Sequence, residues 1–473
     1  MKKIIILLLV FTFLCVSLWA CSGKTGSGKG NSGTGQSSEI QQNNSKGGNA
    51  NGNSVDNTQK SGTLRLLCDP DSESACNTEK GYYYLTGDVE KLRDENYGTH
   101  LMYMDFAAGR EIYLCSTAGC KHDSADCPAV SLYDDFPVST TRLFVLGDYL
   151  YILSREYDHD GTMSQGMVTM GEVSMTGDTP AALYRAKLDG TERKKIYTFD
   201  AQLTLEDIVI GNEQGIYVIT KKLSADKTGN ETYTTSSERK LVFLDLEDLS
   251  LKEVCDMTFQ DHISWKVIGC CQNHFILSGT DFGRELSREE NWNDDVYREL
   301  YQNSSQVYAL LEPDSGKPKE ICRQSNRYES SVTILGDSLY LSSTENQNIE
   351  MLDIGTGERK TLCSLPQNLI FDGFDDTLCC RDWDLAGNPS WYFVNTKTGE
   401  ITRSPLVNQC TGWAIEFRGE TSSDVLFVYD YDATRSSDDS YEIHQYQYAL
   451  ISKDDLFSGR EAYRKIEMIG PGQ

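Results

Sequence analysis

The sequence predicts an all-β fold, a β-propeller of seven blades preceded by a disordered tether. Three observations predict it. The first 62 residues carry a short apolar segment and then nothing a core could bury. Beyond them one strand-and-turn pattern returns seven times, and inside that pattern a step of ten residues recurs.

Composition sets the limits. The chain has 473 residues with 39 Gly, 26 Tyr, 10 Pro and 39% hydrophobic residues, a soluble, turn-rich mixture with enough apolar material for a sizeable core. Its 71 acidic against 44 basic residues give a net charge of -27, which argues against any nucleic-acid partner held by phosphate neutralisation.

The N-terminus reads as an address. Lys2 and Lys3 precede an apolar run from Ile4 to Val16, broken only by Thr12 and too short to span a bilayer comfortably, so residues 1–20 are expected to be a signal peptide. Leu18-Trp19-Ala20-Cys21 resembles the lipobox of bacterial lipoproteins, although Trp19 stands where a small residue is usual. That resemblance implies that Cys21 receives lipid and that the protein is anchored to the cell membrane, facing outward. Residues 22–62 hold 10 Gly, 8 Ser and 7 Asn and no aromatic residue, so they cannot offset chain entropy by apolar burial. Residues 21–62 are therefore expected to be a flexible, lipid-anchored linker with a reach of roughly 35 Å. The phosphate-loop look of Gly23 to Gly30 has no strand before it and no apolar helix after it, and belongs to the linker.

From residue 63 to 473 each unit reads as a Tyr-rich, β-branched strand, a variable stretch, a second strand ending in Asp, Asn or Glu, a Gly-containing turn and a third strand. First strands are expected at Gly81 to Leu85, Asp148 to Leu153, Gly215 to Ile219, His274 to Leu277, Ser338 to Leu341, Thr377 to Cys380 and Val425 to Tyr429. Asp105 to Cys115, Asp245 to Cys255, Glu312 to Cys322 and Asp353 to Cys363 are each ten residues apart, so four cysteines share one repeat position. Such occupants sit a blade apart, on the order of 10 Å or more, and are not expected to pair with one another. For Cys255, Cys322 and Cys363 the expectation is small buried apolar side chains. The shortest units, 41 and 42 residues, have the length of a four-stranded propeller blade.

On the units Leu183 to Thr191 and Ile349 to Lys360, together with the segment Cys115 to Cys127, the chain resembles TolB-like β-propellers, and more closely the uncharacterised propeller lipoproteins of Gram-positive anaerobes. The resemblance covers the body of the chain and implies the fold and the anchor. It implies no activity.

Function is far less legible. There is no His-Glu-x-x-His, no Gly-x-Ser-x-Gly and no nucleotide fingerprint, so catalysis is the less favoured reading. The Asp384 to Trp391 stretch only faintly matches an Asp-box turn. Insertions at Arg155 to Ala182, Lys221 to Lys240, Gly279 to Gln306 and Asp430 to Tyr441 all separate first from second strands and should crowd one mouth of the ring. An extracellular binding or scaffold module for a protein or glycan is the expectation, with Trp292 inside one insertion as the ligand-binding candidate. The alternatives are a propeller enzyme acting on surface or dietary glycans and a transporter-associated solute receptor. The receptor reading is weakened by the near absence of helical periodicity outside Leu286 to Gln302. Asp158 and Asp160, and Asp430, Asp432, Asp438 and Asp439, are a candidate calcium set, although solvated turns are the favoured reading in so acidic a chain. Met163, Met167, Met170 and Met175 fit the packing of a long hairpin.

The sharpest motif is Cys115, Cys120, His122 and Cys127, three thiols and one imidazole within 13 residues, with Gly119 and Pro128 to turn the chain. That is a tetrahedral soft-donor set suited to a structural zinc. A Cys120–Cys127 disulfide, with Cys68–Cys76 as a second loop, competes with it, and unlinked packing is the third reading. Thirteen cysteines beyond Cys21 is an odd number, so complete pairing is impossible.

Overall fold

The computed structural model describes residues 63–68, 74–87, 89–132, 137–156, 167–169, 172–174, 179–227, 233–258, 262–313, 316–365, 369–383, 389–435 and 441–470. Several expectations lie outside them: the signal segment, Cys21, the linker, Asp158 and Asp160, Met163, Met170 and Met175, Asp384, and Asp438 with Asp439. The described residues form seven antiparallel blade sheets, each a four-stranded meander at its core, arranged as the expected propeller, and one separate two-stranded hairpin, Met167–Thr169 with Glu172–Ser174, in the blade 2 insertion.

Blade 5 is the plainest case, with strands Ser330–Leu335, Ser338–Ser343, Asn348–Asp353 and Arg359–Ser364 paired in sequence order. The expected first strands are all present, but each is the second strand of its blade. The innermost strand, such as Thr141–Leu146 of blade 2 or Ser330–Leu335, went unread because it is buried on both faces (pattern BBBBBB in Thr141–Leu146) and has no polar alternation to betray it. The turn after each third strand explains the Asp-and-Gly signature. Asp353 Oδ1 accepts from the Thr356 amide at 2.7 Å, and Gly357 follows at φ 74°, a left-handed conformation that suits glycine.

Blades pack face to face through apolar clusters. Phe144, Leu153 and Leu183 of blade 2 meet Val209, Ile216 and Leu244 of blade 3, and Ile276 and Tyr308 of blade 4 meet Ile334 and Leu339 of blade 5. Phe144, Phe275, Phe427 and Tyr308 are wholly buried, each contributing roughly 1.5–3 kcal/mol by leaving water.

Two features lie outside the repeat. Strand Arg65–Cys68 pairs antiparallel with Val209–Gly211, the innermost strand of blade 3, so this stretch runs inside the ring before the chain enters blade 1. Its Leu67 lies so close to Gly211 that a Cβ there would stand 2.5 Å from Leu67 Cδ1. The second feature is the junction of blades 7 and 1. No strand is shared across it; instead Met104 and Tyr82 pack on Leu426 and Leu450, and the C-terminal run forms a parallel bridge, Arg110 to Glu467, on the outer strand of blade 1.

Because strands alternate in direction, all connections between second and third strands leave the ring on one face. Blade 3 extends there as strands Gly215–Lys227 and Tyr233–Asp245, and blade 7 as Asp424–Arg435 and Tyr441–Ser452. Blade 4 carries two short helices, Arg288–Trp292, capped reciprocally by Ser287 and Glu290, and Asp294–Gln302, capped by Asn293. This is where helical periodicity was expected.

Candidate metal centre

The fourth strand of blade 1, Arg110–Tyr113, stops two residues before Cys115, and the connection to blade 2 then folds back on the third strand Tyr97–Asp105. Its return leg, Val130–Leu132, pairs with Gly98, Thr99 and His100. Between these anchors the chain turns at Gly119 (φ 72°) and at His122 (φ 57°), where a non-glycine residue is held left-handed. The result gathers Cys115, Cys120, His122 and Cys127 so that one donor atom from each lies within 4.8 Å of all the others. His122 Nδ1 is 3.3 Å from Cys127 Sγ, and the His122 amide donates to Cys120 Sγ at 3.4 Å.

The donor set fits a tetrahedral cation. With zinc–sulfur bonds of about 2.3 Å, sulfur–sulfur edges are about 3.8 Å, so no pair of donors needs to close by more than about 1 Å. Two aromatic neighbours unforeseen in the sequence orient them. Tyr113 stacks on His122 with centroids 4.3 Å apart, and His100 bonds through Nε2 to the His122 carbonyl at 2.8 Å. Neither carried a local signal, because their roles depend on strands that come together only in the folded blade.

The thiols are unequal. Burial pushes the Cys127 thiol up to about 12, with the neighbouring thiols Cys120 and Cys115 adding to it. Burial also acts upward on Cys115, but hydrogen bonds from Thr117, Cys127 and Cys120 outweigh it and hold that thiol below its ordinary value. Burial, then the nearby His100, keep the His122 imidazole below its ordinary value, which favours the neutral, ligating form. The segment also ties two blades: Arg193 of blade 2 donates to the carbonyls of Pro128 at 3.0 Å and Val130 at 2.6 Å.

All thirteen described cysteines are free thiols. Cys68 and Cys76 belong to different core clusters, one between blades 2 and 3 and the other between blades 1 and 2. Of the three cysteines expected to be small buried groups, Cys255 is buried, whereas Cys322 and Cys363 are half-buried, because the outermost strand of a blade has one face toward solvent.

Among the described residues, no other group of three or more His, Cys, Asp or Glu donors converges in this way. Asp430 of the calcium candidates is occupied by backbone, its Oδ1 accepting from the Cys410 and Tyr431 amides at 2.8 and 2.9 Å. Trp292 ends the first helix of the blade 4 insertion; its side chain lies outside the described residues. Trp391 is buried, its Nε1 donating to the Ile415 carbonyl at 2.7 Å, while Trp413, on the connection from blade 6 to blade 7, is 49% exposed.

No protein-family model and no curated protein matches the chain. Solved structures give loose overlaps. TolB from Acinetobacter baumannii is 11% identical over 79% of this chain and 78% of its own, with a TM-score of 0.30. An oligogalacturonate lyase from Vibrio parahaemolyticus is 12% identical over 77% of this chain and 93% of its own, with a TM-score of 0.36. A puromycin hydrolase S511A mutant complexed with PGG is 9% identical over 87% of this chain and 55% of its own, with a TM-score of 0.43. At these values the propeller assignment stands on the seven sheets themselves.

Proposed function

We propose that the protein is a lipid-anchored β-propeller, held through Cys21 on the outer face of the cell membrane, that works there as a binding or scaffold module for a protein or glycan. A zinc ion in the Cys115, Cys120, His122 and Cys127 set fastens the connection between blades 1 and 2. Four protein ligands leave zinc no open position, so its role is structural. The observation that carries the binding role is the one-sided elaboration of the ring: the extended hairpins of blades 3 and 7 and the helical insertion of blade 4 leave it on the same face. Surface elaboration placed on a rigid repeat scaffold is where such proteins meet their ligands.

Photo-crosslinking tests this reading. A diazirine residue at the exposed Val296 of the blade 4 helix should capture a partner in intact cells, and the same residue at the exposed Thr398, in a turn of the opposite face, should not. Capture equal at the two sites, or stronger at Thr398, would contradict the assignment of the binding face.

A further inference from the structure

Six of the seven blade junctions are crossed by continuous chain, and the seventh, between blades 7 and 1, is not. It is fastened from outside by the C-terminal run. The Glu111 amide donates to the Glu467 carbonyl at 2.8 Å, and the Glu467 amide donates to the Gly109 carbonyl at 2.8 Å. At the centre of this fastening lies a carboxyl group. Glu111 is 5% exposed; the Tyr84 hydroxyl donates to its Oε1, and the Ile469 amide donates to its Oε2 at 2.8 Å. Among the described residues it has no cationic partner.

The groups around it are neutral or directed elsewhere. Blade 1 presents Tyr84 and Tyr113, and blade 7 presents Tyr448. Within the C-terminal run, Arg464 reaches the Phe106 carbonyl and Asp424, Lys465 lies over the Tyr429 ring, and Glu467 is exposed. A buried carboxylate with two donors and no counter-charge is costly to ionise in place, so the closed junction favours the protonated group.

We propose that Glu111 is a pH-sensitive latch of the ring: protonated, it holds the C-terminal run and closes blade 7 on blade 1, and ionised, it releases that run. Burial pushes Glu111 up from an ordinary 4.5 to about 7, the Ile469 amide pulling part of the way back. The closed junction binds the proton more tightly than the open one. Its stabilising effect is therefore complete below about pH 4.5, declines as pH rises, and is lost as pH passes about 7. A second buried carboxyl lies one junction away, on the innermost strand of blade 7 where it faces blade 6. Glu420 sits against Lys453 at 2.9 Å, with Asp372 and Asp375 near; burial pushes it up to about 8 against the pull of Lys453. The overall pH dependence thus has two sources, and a variant at Glu111 separates them.

The test is amide hydrogen exchange of the segment 464–470 in the whole protein, followed by mass spectrometry at about pH 5.5 and about pH 8.5 and corrected for intrinsic exchange. The opening constant of that segment should rise by at least ten-fold in the wild type and stay level in Glu111→Gln, which keeps an acceptor for the Ile469 amide. Tyr84→Phe removes a donor to the carboxylate and should move the release midpoint to higher pH. A level wild-type profile, a ten-fold rise surviving in Glu111→Gln, or a Tyr84→Phe midpoint unmoved or lowered would each overturn the latch.

Discussion

Cys115 and Cys363 stand at the same step of the repeat, and the blades around them are built alike up to the residue before each. A Cβ on Gly190, in the third-to-fourth-strand turn of blade 2, would meet the Leu114 carbonyl at 2.5 Å; a Cβ on Gly399, in the same turn of blade 6, would meet the Leu362 carbonyl at 2.5 Å. After that shared contact the two regions diverge. Cys363 stays within the fourth strand Arg359–Ser364, half-buried beside Ile349 and Tyr392, and burial pushes its thiol up. Cys115 falls beyond a fourth strand of four residues, at the start of a connection that returns three more donors to it. A repeat position thus fixes where a cysteine sits and which blade turn touches it. The connection that follows decides whether it has chemistry.

The largest effect that separates the two regions is expected from their cysteines. Cys127→Ser removes the most buried donor of the set and should leave the protein with less than a tenth of its zinc and a loosened junction of blades 1 and 2. Cys363→Ser should leave the metal content unchanged and cost about 1–2 kcal/mol, as a small polar group placed in an apolar margin does. Metal analysis and urea unfolding read both; zinc lost from Cys363→Ser, or kept by Cys127→Ser, would break the contrast.

The smaller effect sharpens it from the shared side. Gly190→Ala and Gly399→Ala each force a Cβ onto a backbone carbonyl at positive φ (80° and 71°) and should destabilise similarly, by about 2 kcal/mol. Only Gly190→Ala should also weaken zinc binding, because Leu114 leads directly into Cys115. Equal zinc affinity in the two variants would mean that the approach to Cys115 does not position it.

Sequence reasoning reached the parts of this molecule whose signals are local. The second and third strands of the blades were legible because they recur on either side of a variable stretch and the third ends in an Asp or Asn that accepts its own turn amides, as Asn395 does from Lys397 and Thr398 at 3.0 and 2.9 Å. The four donors were legible because soft ligands close in sequence have few other reasons to cluster. The innermost strands were not, since burial on both faces erases alternation. Arg65–Cys68 was missed because its partner Val209–Gly211 lies two blades further along the chain. His100, Tyr113 and Arg193 escaped for the same reason: what they hold is brought to them by pairing of Gly98–His100 with Val130–Leu132 and by the packing of blade 2. Glu111 looked like one acidic residue among 71 until the C-terminal run covered it.

On the function proposed above, blade 1 carries a metal-bound staple where blades 3, 4 and 5 carry lone thiols. Metal analysis of wild-type protein purified without oxygen, combined with non-reducing peptide mapping, tests it most directly. About one equivalent of zinc per chain is expected, with Cys115, Cys120 and Cys127 all recovered as thiols once the metal is removed. Less than a tenth of an equivalent, with Cys120 and Cys127 recovered joined in one disulfide-linked peptide, would contradict it.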